Sequence, residues 1–280
     1  MVEVGKFTLE SLTTGMYSDP RIVYREYIQN SVDSIENAVA EGLMSNEDAY
    51  IKVFIDAENA CISIIDNGKG ISVARATNVL LSIGKSTKRQ DANRGFRGIG
   101  RLGGLSYCEH LSFTTSVQGE DVATRIIFDC KLLKSLLSPD HEEELDLQSV
   151  IERITEVEEI DADKDDHFFR VDMDEVDSSS ELLDLDEIKQ YLSEVAPVPY
   201  DERHFVVAPE IKRFLNEHDY TLTEFKIFIG YDEDHLKQVH KPNRYRFRSD
   251  RNQRTEDVIT EVVTFSIDLD STSSLLGWYG

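Results

Sequence analysis

Apolar and polar positions along this chain switch between two periods, and each switch marks an element. Residues 19–39 keep the helical period. At about 100° per residue, Tyr24, Ile28, Ile35 and Val39 fall on one side. Glu26, Asn30, Asp33 and Asn37 form a polar stripe about 60° wide on the opposite side. Asp19 is placed to cap this helix, Pro20 suits a first turn that needs no N–H, and Glu41-Gly42 ends the pattern. Alternation then takes over. Ile51, Val53 and Ile55, then Ile62 and Ile64, predict two strands over 50–56 and 59–65 joined at Ala57-Glu58. A helix over 72–82 follows, then a hairpin of 111–116 with 122–128 around Gln118-Gly119, and a short helix over 131–137. Further on, the pattern predicts a strand at 167–173 and a helix at 185–195, stopped by Pro197-Val198-Pro199. A helix near 210–216, a strand within 222–229 and a strand or strand pair in 258–269 complete it. Before the first long helix, Val2, Val4 and Phe7 alternate like a strand and Leu9–Met16 read as a short helix.

Composition changes this picture in three places. Hydrophobic residues make up 40% and aromatics 9% of the 280 residues, which suits a globular protein with one large or two modest cores. No apolar run approaches the roughly 20 residues that span a bilayer, so no membrane role is expected. Cys61, Cys108 and Cys130 lack metal-ligand spacing and read as reduced thiols of a cytoplasmic protein. The net charge of −24 is concentrated. Residues 139–187 hold 21 Asp and Glu against Arg153, Lys164 and Arg170, which leaves −6 for the rest. That balance excludes a nucleic-acid clamp spread over the whole chain. It leaves one basic strip, Lys241, Arg244, Arg246, Arg248, Arg251 and Arg254 with Tyr245 and Phe247 interleaved, as the only place where nucleic acid is expected to bind. The acidic stretch 139–165, with Val150, Ile151, Ile154 and Val157 as an apolar edge, reads as an insertion.

The candidate chemistry lies in three stretches. The polar stripe on the first helix holds carboxylates and amides with no lysine or arginine, which suits a cation and a water. The second strand runs into Asp66-Asn67-Gly68-Lys69-Gly70, where the glycines let the backbone turn tightly and let a ligand approach. A carboxylate in such a turn can accept a hydrogen bond from an amino group. Residues 84–104 then carry six glycines and six basic residues, a composition that can cradle an anion on backbone N–H groups. The segment lacks the early glycine of a Walker A loop, and no strand precedes it as a dinucleotide fingerprint requires.

In this order, Glu26-x-x-x-Asn30-x-x-Asp33, Asp66-x-Gly68-x-Gly70 and Gly95-Phe96-Arg97-Gly98-Ile99-Gly100 resemble the three boxes of the GHKL ATPase superfamily: gyrase, the 90-kDa heat-shock chaperones, histidine kinases and MutL. Leu12-Thr13-Thr14-Gly15-Met16-Tyr17-Ser18-Asp19 and Ser82-Ile83-Gly84-Lys85-Ser86 are most similar to the heat-shock chaperones, and the glycine lid to MutL and MORC proteins. The resemblance implies a Bergerat-type fold of the α+β class, a two-layer α/β sandwich whose mixed sheet carries helices on one face. Residues 1–198 would form it, and 199–280 would begin a transducer-type domain of a longer chain.

The resemblance also implies roles. Glu26 is expected as the general base, Asn30 as the Mg²⁺ ligand and Asp33 in support. Asp66 is expected to accept the adenine amino group while Gly68 and Gly70 pass the base. Gly95, Gly98 and Gly100 are expected to hold the phosphates, with Lys85 and Ser86 flanking the nucleotide. ATP and Mg²⁺ are the implied ligands, and a nucleotide-dependent homodimer with a protein client is the implied assembly. Two departures stand out: Ser34 replaces an alanine, and the threonine that often supports the adenine has no match near Phe169–Val171. For the lysine that the resemblance expects at the γ-phosphate, Lys241 is one candidate and a position beyond Gly280 is the other.

Overall fold

The computed structural model describes residues 19–82, 100–138, 145–242, 244–248, 254–269 and 273–280. Residues 1–17, Lys85, Ser86, Gly95 and Gly98 lie outside the described residues. The long helix α1 spans Ile22–Ala40. It begins later than Asp19 because that carboxylate is engaged one step earlier, accepting from Arg21 N at 2.9 Å and Arg21 Nε at 3.0 Å. The Arg21 guanidinium thereby holds the Asp19 carboxyl below its usual range.

An eight-stranded sheet follows, in the order β5-β4-β3-β6-β2-β1-β7-β8. Its strands are β1 (Ile51–Asp56), β2 (Cys61–Asp66), β3 (His110–Ser116), β4 (Val122–Asp129), β5 (Thr155–Asp161), β6 (Phe168–Asp174), β7 (Ile227–Gly230) and β8 (Lys237–Gln238). The β1–β7 pair is parallel and the others antiparallel, so the sheet is mixed. The β1–β2 link spans residues 57–60 and is longer than Ala57-Glu58, because the Asp56 carboxylate accepts from Asn59 N and Ala60 takes φ 54°.

Alternation decides which face is covered. Ile229, Val53, Ile64, Val171, Phe113 and Ile126 lie in register across six strands, and all are buried. One residue along, the register reads Lys52, Ile65, Arg170, Thr114, Arg125 and Glu158, and this face carries solvent-facing ion pairs such as Lys52–Glu233 and Arg170–Asp172. Helices α1, α2 (Val73–Leu81), α3 (Cys130–Leu137), α4 (Leu147–Ile154) and α5 (Leu185–Val195) contribute their apolar sides to the main core over the first face. Cys108 and Cys130 lie buried in that core as thiols, and Cys61 is partly buried.

Two parts of the chain fold differently from the sequence pattern. The acidic stretch is not a simple insertion. Asp146 caps α4 by accepting from Ser149 N, and residues 155–161 form the edge strand of the main sheet. Beyond Pro197-Val198-Pro199 the chain divides. Phe225, Ile227, Ile229 and Val239 return to the main core through β7 and its flanks, since β7 completes the sheet beside β1. A second small core gathers Phe205, Val207, Ala208 and Ile211, with α6 (Ala208–Glu217), under Tyr200, Ile259 and Trp278. The basic strip becomes part of a two-stranded ribbon of β9 (Arg244–Arg248) and β10 (Arg254–Val258), in which Glu256 stands opposite Arg246 and Asp257 opposite Tyr245. A last hairpin pairs β11 (Val263–Asp268) with β12 (Ser274–Tyr279). Among the described residues no helix is long and apolar enough to cross a membrane.

Candidate functional site

Helix α1 crosses the end of β2 with the stripe Tyr27, Ser31, Ala38 and Ile35 buried beneath it. Asp66 ends β2 on the covered face and is 1% exposed. In register beside it stand Ile51 on β1 and Phe169 on β6. Burial pushes the Asp66 carboxyl up to about 7. The rise would be larger but for hydrogen bonding from the Ser31 hydroxyl, the Gly68 N–H and the Ser34 hydroxyl. The Gly68 N–H donates to Asp66 Oδ1 at 2.9 Å. A carboxylate offers about four lone-pair sites, so Asp66 keeps acceptor capacity beyond the Gly68 N–H.

The turn after Asp66 is pressed between α1 and β3. A side chain at Gly68 would overlap the Ser34 hydroxyl and come within 2.7 Å of the Ser34 carbonyl carbon. Lys69 N donates to Ser34 O at 3.2 Å. Gly70 has φ +68°, and a Cβ there would overlap the Ser116 carbonyl oxygen, so both conformation and space require glycine. Asn67 holds the other side of the turn, accepting from Tyr50 N at 2.8 Å and donating to Asp48 O at 2.9 Å. His167 Nδ1 lies 2.7 Å from Gly68 O. Thr115 accepts from Ile71 N at 2.8 Å and donates to Phe168 O at 2.9 Å.

The second part of the site is at the start of α1. Glu26 is half-buried, and its Oε1 lies 3.2 Å from Arg25 Nη2. A side chain at Gly100 would overlap Glu26 Oε2 and lie 3.0 Å from its Cδ, so the carboxylate rests directly on the Gly100 backbone. Gly100 opens a 3-10 helix, Gly100–Ser106. Tyr27, beside Glu26, fixes that helix to α1: its hydroxyl donates to Arg101 O at 3.0 Å and accepts from Gly104 N at 3.1 Å. Asn30, one turn after Glu26, is partly exposed. Asp33 is 4% exposed and accepts from Gln29 Nε2 at 3.1 Å. Asn37 spends its amide on Asp33 O, within its own helix, at 2.7 Å.

The structure therefore brings Glu26 against Gly100, and Asp66 and Gly68 against the middle of the same helix. Lys85, Ser86, Gly95 and Gly98 fall outside the described residues. Two cations are engaged elsewhere. Arg101 turns back to the Leu80 and Ser82 carbonyls at the end of α2, and burial lowers its pKa. Lys241 donates to Ala196 O at 2.7 Å past the end of α5, where burial also lowers its pKa. Helix C-termini attract such cations because their last carbonyls lack partners within the helix. Sequence reasoning missed Ser31, Ser34 and Tyr27. The available signal was Ser31, a small hydroxyl residue on the side of α1 where apolar packing was due, with Ser34 three residues on at the edge of that side.

The chain is similar to the chaperone protein HtpG of Acinetobacter baylyi, 36% identical over 84 residues, covering 28% of this chain and 13% of that protein. It is 31% identical over 110 residues to HtpG of Clostridium botulinum, covering 35% of this chain and 18% of the relative. With HtpG of Nitrosomonas europaea it shares 30% over 129 residues, 40% of this chain and 20% of that protein. The matched stretches are thus a fifth or less of each relative's length. Residues 17–163, just over half of the chain, match the family described as histidine kinase-, DNA gyrase B- and HSP90-like ATPases. With its buried Asp66 turn beneath α1, the chain belongs to that ATPase family.

Proposed function

We propose that this chain binds ATP with Mg²⁺ and hydrolyses it, and that binding drives lid closure and dimerisation of a longer, chaperone-like machine in the cytoplasm. The observation that supports this reading is that helix α1 carries Glu26 against Gly100 near its start and meets the turn after the buried Asp66 at its middle. Asp66 would take the adenine amino group on its remaining acceptor site, and its charge would disfavour the carbonyl of a guanine. Gly68 and Gly70 would let the base pass close to the backbone, and Asp33 would keep the polar side of α1 ordered. Asn30 would hold Mg²⁺, which neutralises phosphate charge when bound. Glu26, one turn before Asn30 on the same face, would orient and deprotonate the attacking water. Gly95, Gly98 and Gly100 would form the lid, with Lys85 and Ser86 beside the nucleotide.

The test is Glu26→Ala. Steady-state phosphate release is expected to fall by about 100-fold or more while ATP affinity by calorimetry is retained. Hydrolysis undiminished in that variant would remove Glu26 from the mechanism.

A second reading is a nucleotide-gated binding module of the MutL or MORC kind with little turnover. The β9–β10 ribbon favours it, because Arg244, Arg246, Arg248 and Arg254 fall within one strand pair. Glu256 stands opposite Arg246 in the strand register, which lowers the net charge of the ribbon, and hydrolysis is the leading proposal.

A further inference from the structure

We propose that Tyr27 is a positioning residue for hydrolysis, acting through Glu26: its hydroxyl pins the Gly100–Ser106 helix to α1 and so sets where the Gly100 backbone meets the Glu26 carboxylate. This rests on the hydrolysis reading above and adds to it a residue of α1 that lies off the polar stripe.

Tyr27 follows Glu26 in α1, about 100° around the helix, so its ring enters the main core while the carboxylate stays on the polar side. Tyr27 is 2% exposed. A buried tyrosine hydroxyl needs partners, and it can donate once and accept as well. This one does both, donating to Arg101 O at 3.0 Å and accepting from Gly104 N at 3.1 Å. Those two residues are three apart, and theirs are the carbonyl and amide that one step of a 3-10 helix brings together. The hydroxyl therefore grips a single step of that helix at both ends. Gly104 leaves room for it: a Cβ there would lie 2.5 Å from the Tyr27 hydroxyl.

The same step is held from another side. The Arg101 guanidinium reaches the Leu80 and Ser82 carbonyls at the end of α2, and Leu102 and Leu105 are buried in the main core. Gly100, immediately before Arg101, thus has a fixed place, and the Glu26 carboxylate rests on it. Glu26 also pairs with Arg25, but that guanidinium is half exposed and holds the carboxylate only weakly. Placement of the carboxylate therefore depends on where Gly100 sits, and Tyr27 ties that point to α1. Phenylalanine would fill the core equally well, so the hydroxyl is accounted for by this tie rather than by packing.

The experiment is Tyr27→Phe, made alone and in the Glu26→Ala background. Steady-state phosphate release is counted per ADP-binding site titrated by calorimetry, which removes any loss of folded protein. Alone, Tyr27→Phe is expected to lower kcat about tenfold or more, with KM and ADP affinity within about twofold of the unaltered protein. In the Glu26→Ala background it is expected to change kcat by less than about twofold, because the group it positions is gone. Unchanged kcat, an equal fall in both backgrounds, or a parallel loss of ADP affinity would each overturn the proposal. Should Tyr27→Phe not fold, Gly104→Ala drives a methyl group against the same hydroxyl, and the same measurements decide. An unaltered protein that binds no ADP, or binds it and releases no phosphate from ATP, would overturn the hydrolysis reading itself and this role with it.

Discussion

Asp66 carries a cost that can be measured without any ligand. A carboxyl that titrates at about 7 in the folded chain, against 3.8 unfolded, binds a proton more tightly when folded. The stability it contributes is fully present below pH 3.8 and is lost as pH rises through 7. The whole difference is on the order of 4 kcal/mol, and about 2.5 kcal/mol of it falls between pH 5 and pH 8. Asp66→Asn keeps the shape and the acceptor for Gly68 N but cannot ionise. The assay is urea unfolding of both proteins without nucleotide at pH 5 and pH 8. Other groups titrate in both proteins and cancel in the difference. The variant is expected to gain about 2.5 kcal/mol relative to wild type on going from pH 5 to pH 8, while losing ADP binding. A stability difference that is the same at both pH values would refute the argument that burial, with no cationic partner among the described residues, governs this carboxyl. The gain and the loss together would show a group kept for binding at the expense of stability.

Two glycines give further tests. Gly100→Ala forces the Glu26 carboxylate off the backbone it rests on, so kcat is expected to fall about tenfold or more with the melting temperature little changed. A variant with full turnover would show that Glu26 works from another position. Gly70→Ala combines a left-handed φ with overlap of the Ser116 carbonyl, and is expected to cost about 3 kcal/mol or more in urea unfolding. A loss below about 1 kcal/mol would mean that the turn relaxes freely.

Local pattern made much of the fold legible. Alternation located β1, β2, β3, β4 and β6 to within one or two residues, because one face of the sheet is covered and the other is wet. The helical period and the following glycine located α1. The chain lost legibility where neighbours distant in sequence decide the outcome. Residues 155–161 are rich in acids and read as an exposed insertion, yet they pair along β4 because an edge strand needs only one partner and can face water with its charges. The proline pair does end α5, but β7 beyond it still joins β1, since a proline stops a helix without preventing the chain from returning to a sheet.

The same division runs through the site. The sequence by itself determined that a polar-striped helix, an Asp-Gly turn and a glycine-rich segment occur in that order, because these are properties of residues near one another in the chain. Only the tertiary structure decided how α1 is rotated on the sheet, and that rotation turns Ser31 and Ser34 onto Asp66 and lays Glu26 on Gly100. It also sent Arg101 and Lys241 to carbonyls at the ends of two helices, although Arg101 belongs to the glycine-rich basic segment and the family resemblance had offered Lys241 for the γ-phosphate. A cation's choice among distant acceptors, like a helix's choice of face, is made by what packs beside it.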